Sequence, residues 1–461
     1  MNVRFLLPAL VCAALFASPA QAQIGRRFPA ERKVVKDPVT GTPLTFLTST
    51  PAGDSKIYQT HNQWTSDLQW LIFRSNRAKN EALAVNEKTG DIVQVSEGGY
   101  VGMLNVARHA MKLYFMRQPP GPTPSPGREA AKDAPPATLQ IVEVDLAKVF
   151  ADSKAGKMQA ASAYQRVCGT TPPELQAGGD MALDGDETWA YFRVGKDEAA
   201  RHLPPGTKLE PNFGPRNMGA GPSGIAAMNV KTGAIKYVVS VPFQIGHIQT
   251  NPWVPGELVF CWETGGKSPQ RTWTVLADSS GLRPLYPESA YEWVTHEAVI
   301  TKDETAFAIM GHRPVPALAK DAPAGTPVSG ANPGQEAAWG PSGTREKPTG
   351  LGIVNHRTRE MTIVGQTPSG SGLWHVSGSP DGRWAVGDDF ARNIYLIDRH
   401  THEMLLLSTG HKATAADHPH PTMSPDGTRI EIQSAMLSAD GRSMNICIIP
   451  VPEAWLRRAY K

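Results

Sequence analysis

The chain has 461 residues, of which 40% are hydrophobic and 19% charged, enough to bury a large core in one domain or two. A net charge of +3 excludes a general nucleic-acid role. The 43 glycines and 40 prolines punctuate short apolar runs that end in Asp-Gly or Thr-Gly turns; long amphipathic helical patterns are scarce, so the composition reads as all-β.

Residues 1–22 read as a secretory signal peptide. Arg4 supplies the positive start, Phe5 to Ala17 the apolar stretch, and Ala20-Gln21-Ala22 the small-residue cleavage site. That apolar stretch is too short to span a membrane comfortably, so the expected destination is the periplasm, with no membrane attachment after cleavage. Cys168, Cys261 and Cys447 then remain, a count that allows at most one bridge or three buried thiols.

A repeating unit follows. TSDLQWLIFRSNRAKNEALAVNEKTGDIVQVSEG (65–98) holds a turn and successive short strands, and a degenerate copy spans 100–150. Further copies run over 184–241, 254–287, 301–366 and 379–410, and a last one from His420 to Pro450, seven in all. Units of this length with about four short strands read as propeller blades, because one such sheet cannot bury both faces alone. The expected fold is a seven-bladed β-propeller over residues 58–461. The N-terminal segment 23–57, with LTFLTS at 44–49, offers a strand to complete the last blade and close the ring. Three Pro/Gly-rich inserts, 117–137, 203–224 and 313–349, break the pattern and are expected to be loops without core strands.

Aligning the copies on their turns exposes a register of histidines. His61, His375 and His420 each lie six residues before a turn aspartate (Asp67, Asp381 and Asp426), and His296 lies seven before Asp303. His247 occupies the matching stretch of its own copy, and the third blade offers Asp180. Positions near the start of each innermost strand converge at one end of a propeller's channel. Five imidazoles, with His418 beside them, are therefore aimed at one volume. Imidazoles gathered in this way are economically explained by a bound metal. In His418-Pro419-His420 the strand alternation puts both rings on one side, a two-toothed ligand. Trp64 and Trp374 neighbour these histidines and serve either as core or as faces for a sugar to stack on; Asp388 and Asp389 either tie blades together or back a histidine.

With these stretches in hand, the chain resembles the oligogalacturonate lyase family. The resemblance rests on GHIQTNPWVPGELVFCWE, RTWTVLADSSGLRPL, THEAVITKD, HVSGSPDGRWAVGDD and HPHPTMSPDG, in order across roughly residues 58–450. A weaker likeness to TolB-type propellers rests on the Ser-Pro-Asp-Gly turns. The lyase resemblance implies β-elimination on an acidic, uronate-containing oligosaccharide, with His247 as the base and His296, His418 and His420 holding a divalent metal, manganese in the family. The family's fourth ligand, a glutamine, falls on Ala415 here, so Asp417, Gln249, His375 or water is expected in its place. Arg271 and Arg74 are the cations expected to pair with substrate charge, Arg271 beside the base, and His61 and His375 are expected to complete the site or bind sugar hydroxyls. The competing reading is a non-catalytic propeller of the TolB type that binds a protein or sugar.

Overall fold

The computed structural model describes residues 23–120, 138–212, 218–289, 292–311, 349–366 and 372–460. The expected signal peptide, most of the 117–137 and 313–349 inserts and residues 213–217 of the middle insert lie outside these residues. The described strands form seven antiparallel sheets, five of four strands and two of five, arranged as the blades of a propeller. The five four-stranded sheets follow chain order from the innermost strand outward, and the two five-stranded sheets add N-terminal strands at their outer edge. Blade six shows the pattern plainly, with strands Val376–Gly378, Trp384–Asp388, Ile394–Asp398 and Met404–Ser408.

The recurring Ser-Pro-Asp-Gly turns join the first strand of a blade to the second. Ser379 Oγ donates to Asp381 Oδ1 at 2.6 Å, and the same oxygen accepts from the Arg383 amide at 3.1 Å. Ser424 and Asp426 repeat the bond at 2.6 Å in blade seven. The glycines of both turns are left-handed (Gly382 φ 74°, Gly427 φ 68°), a conformation that a side chain would strain.

Blade seven joins the two ends of the chain. Strand Pro43–Phe46 pairs with Asn445–Pro450, and Lys33–Lys36 lies outside it, beyond Arg429–Ser434 and Thr422–Met423. Leu44 and Phe46 are fully buried in one core with Trp384, Ile430, Ile432 and Ile449. Each such side chain contributes roughly 2–3 kcal/mol by leaving water. Similar apolar clusters fill the space between the other blades, so the core is a ring around the channel.

Two expectations need adjustment. Part of the 203–224 insert is strand: Ala220–Asn229 pairs with Ile235–Phe243, and Pro222 is accommodated because the register shifts between Ala220 and Ser223. Blade two also carries a helix, Leu146–Ala155, capped by the Asp145 carboxylate and ended by left-handed Gly156. The three cysteines are buried and free, which leaves no bridge among the described residues.

Candidate active site

One end of the channel opens into a cavity of about 460 Å³. His247, His296, His375, His418 and His420 line it, together with Arg271, Glu263, Asp417, Tyr58 and Trp374. Four blades supply those histidines, as the register predicts.

Backbone bulges do the aiming. In blade four the inner strand Ile245–Thr250 slips register between Gly246 and Gln249, and His247 takes φ 49°. In blade five the slip falls between Thr295 and Ala298 of Glu292–Thr301, and His296 takes φ 54°. His420 takes φ 51° just before its strand. A left-handed non-glycine residue costs about 1–3 kcal/mol and persists where the surroundings enforce it. The blade-five bulge also releases two neighbours at once. His296 joins the histidine group, while Glu297 turns to blade four.

The first half of the site is a knot of charge around His247. Its Nδ1 lies 3.4 Å from Glu297 Oε1 and 3.3 Å from Arg271 Nη2, and its Nε2 lies 3.6 Å from Glu263 Oε2. Arg271 donates from Nε to Glu297 Oε2 at 3.0 Å and sits 3.6 Å from Glu263. Burial pulls the His247 pKa down, but the Glu297 hydrogen bond and the Glu297 and Glu263 charges outweigh it and hold the imidazole above its ordinary value. Glu297 is fully buried; burial pushes its carboxyl up, yet Arg271 and His247 bring it down to about 2. Arg271 is therefore a paired, almost buried cation whose charge is already balanced.

The second half is a group of four imidazoles with His375 as its hub. Its ring centroid is 3.7 Å from that of His420, 4.2 Å from His296 and 5.2 Å from His418. His375 Nδ1 lies 3.2 Å from both oxygens of Asp388, and His418 Nδ1 lies 3.3 Å from Asp388 Oδ2. His296 Nδ1 donates to the Trp374 carbonyl at 2.7 Å. A carboxylate or carbonyl accepts only, so these three rings carry hydrogen on Nδ1 and a lone pair on Nε2. His420 differs, with Nδ1 at 2.9 Å from Gln59 Oε1 and Nε2 at 3.0 Å from Asp417 Oδ2. Burial, followed by the neighbouring His420, holds His375 down to about 3; burial and His375 keep His296 well below its ordinary value. Both rings are neutral at physiological pH. Neutral imidazoles backed through Nδ1 are the donor arrangement that first-row transition metals take, so these residues fit a divalent cation.

Ala415 packs against Ala435 and Met444 and does not line the cavity. Gln249 is also occupied elsewhere, donating to the Glu297 carbonyl at 3.0 Å and accepting from the Val299 amide at 3.0 Å. Two expected site residues lie apart. His61 lines two small cavities of about 40 Å³ along the channel, with Nε2 2.9 Å from the Met181 carbonyl and Nδ1 2.7 Å from Thr60 Oγ1. Arg74 lines a separate cavity of about 100 Å³ with Lys56 and Gln433, which adjoins the main one through Tyr58, Asp417 and His420. Trp64 is core, whereas Trp374 lines the site, edge-on to His296 at 4.3 Å. Glu263, Glu297 and Tyr58 carry no motif that singles them out in the sequence, whereas Asp417, a candidate for the donor that Ala415 does not supply, lines the cavity. Glu297 was signalled only by its place after a register histidine, and Tyr58 only by its nearness to His61.

An oligogalacturonate lyase in complex with manganese superposes with a TM-score of 0.66 at 16% identity, covering 95% of this chain and all of that one. The fold is that of the oligogalacturonate lyases. A second oligogalacturonate lyase, from Vibrio parahaemolyticus, gives 0.64 at 17% identity over 94% of this chain and all of its own. A TolB-type protein from Agrobacterium tumefaciens reaches only 0.36 at 10% identity, covering 88% of this chain and 93% of that one, too distant to carry an argument. No family model and no curated protein matches the sequence. The likeness that the motifs suggested therefore holds at the level of the oligogalacturonate lyase fold.

Proposed function

We propose that the protein is an exported, periplasmic lyase that cleaves a uronate-containing oligosaccharide by β-elimination, with His247 as the base. The observation that carries this reading is His247 itself. It faces a cavity shared with four imidazoles and is held by Glu297 on one nitrogen.

A uronate's C5 proton is weakly acidic because the adjacent carboxylate is already negative. A divalent cation held by the histidine group, manganese by the resemblance, would neutralise that carboxylate when bound. The remaining work falls to the chain's own residues. Glu297 fixes the His247 ring by accepting from Nδ1–H, with Arg271 holding that carboxylate in place, which leaves Nε2 to accept the C5 proton. Glu263, 3.6 Å from Nε2, stabilises the imidazolium that results. Tyr58 packs 4.9 Å from the His247 ring and 5.1 Å from the His420 ring. Burial, and then the Glu297 charge, hold its phenol well above the ordinary value; it stays protonated and is placed to hydrogen-bond the departing glycosidic oxygen. The Trp374 face and the polar wall at Asp417 bound the space left for the sugar rings. Arg74, next door with Lys56, offers a cation for a neighbouring carboxylate.

The test is a panel of uronate oligomers followed by the ultraviolet absorbance of the unsaturated product. Product from at least one acidic oligomer is expected. Binding without product would leave a non-catalytic propeller.

A further inference from the structure

We propose that His375 is a metal ligand, completing with His296, His418 and His420 a histidine site whose wall includes the Asp417 carboxylate, 3.0 Å from His420 Nε2. The proposal rests on the metal-assisted reading above and assigns the donor that reading lacks, since Ala415 offers none.

Three observations carry it. First, His375 and His418 share one support. Both present Nδ1 to the buried Asp388 carboxylate, at 3.2 Å and 3.3 Å, so both show an Nε2 lone pair. Whatever makes His418 a donor makes His375 one as well. Asp388 fixes His375 a second time, accepting its backbone amide at 2.6 Å. Second, His375 is the hub of the group, with the other three rings packed around it at 3.7, 4.2 and 5.2 Å. A residue that merely touched sugar hydroxyls would stand at the rim, yet His375 is only 3% exposed. Third, His296 has Nδ1 on the Trp374 carbonyl, so the ring before His375 in the chain's order of blades is set in the same tautomer. His375 and His418 also lie in one group with Asp388 whose ligand atoms all fall within 4.8 Å of one another, a grouping that can hold a cation. Asp388 is accordingly a positioning residue for two ligands at once.

Replacing an amide oxygen with a fourth imidazole moves the donor set towards zinc, cobalt and nickel and away from manganese. The test uses the full mature chain stripped of metal and titrated with Zn²⁺, Co²⁺ and Mn²⁺ alone. Stoichiometry is read by elemental analysis and the Co²⁺ environment by its visible ligand-field absorption. Wild-type protein is expected to bind one equivalent of Zn²⁺. His375→Ala is expected to lose roughly 100-fold in Zn²⁺ affinity and to change the Co²⁺ spectrum, and Asp388→Asn to lose about 10–100-fold. His375→Gln, which restores an amide oxygen, is expected to narrow the gap between Zn²⁺ and Mn²⁺ affinity while keeping a wild-type thermal melt. Zn²⁺ affinity and a Co²⁺ spectrum unchanged in both folded His375 variants would overturn the assignment but leave a metal site in place. Wild-type protein that binds none of the three cations would overturn both the assignment and the metal-assisted reading.

Discussion

Replacing Glu297 with glutamine keeps the side chain's shape and removes its charge. That charge lies 3.0 Å from Arg271 Nε and 3.4 Å from His247 Nδ1, with no exposure to solvent. Its pKa falls from the ordinary 4.5 to about 2 in the folded chain, which at 1.36 kcal/mol per unit corresponds to about 3 kcal/mol favouring the ionised form. The group's folded pKa is depressed, so this stability is present above 4.5 and is lost as pH falls towards 2. Glu297→Gln forfeits it at neutral pH, and losing one partner of a buried ion pair costs about 3–5 kcal/mol; a loss of about 3 kcal/mol is expected. The same change removes the carboxylate charge and hydrogen bond that raise His247, so that ring should titrate at lower pH than in wild type. Urea denaturation at pH 7 measures the first effect and histidine NMR titration the second, neither of which needs a substrate. A variant with wild-type stability and an unmoved His247 would refute the description of this knot as a charge-held base.

The other expectations are as follows. Because the His247 pKa is raised, its basic form is gained as pH climbs through a value above 6.5, so kcat/KM on a uronate oligomer should have its acid limb there; a limb below 6.5 would contradict the assignment. The same raised pKa makes His247 stabilising at low pH and less so as pH rises, so alkaline pH should favour turnover over stability. Phe46→Ala, in the N-terminal strand of blade seven, should cost about 3–5 kcal/mol in denaturant unfolding, whereas a loss under 1 kcal/mol would mean that the strand does not hold the ring closed. His61→Ala removes one buried and one part-buried hydrogen bond and should cost about 1–3 kcal/mol while leaving Zn²⁺ affinity unchanged; a change in that affinity would place His61 nearer the site than its contacts with Met181 and Thr60 do.

The blades were legible because each carries its own turn chemistry. Ser379 and Asp381, or Ser424 and Asp426, are both a motif in the sequence and a hydrogen-bonded joint in the fold. The histidine register was legible for the same reason: equal offsets from equivalent joints map to equal heights in the channel. The offset fails for His61, six residues before its turn like His375 and His420, because height alone does not set direction. His247, His296 and His420 are left-handed, and one extra residue in a bulge turns a side chain to another face; His61 and His375 have no such kink, and their partners aim them instead, Asp388 for His375 and the Met181 carbonyl for His61. Bulges leave little trace in one sequence, which is also why Glu297 could not be separated from its neighbour His296. Arg271 read as a free cation because its two carboxylates come from Glu263, eight residues away, and Glu297, on the next blade. Asp388 was read as a possible support for a histidine, and the structure gives it two.

The most direct measurement compares wild-type protein with His247→Ala, shown to be folded by its thermal melt, on a panel of uronate oligomers. Wild type should generate the unsaturated product, and the variant should be slower by about 100- to 10,000-fold while still binding the oligomer. A variant that turns over at the wild-type rate, or a wild type that generates no unsaturated product from any acidic oligomer, would contradict the account.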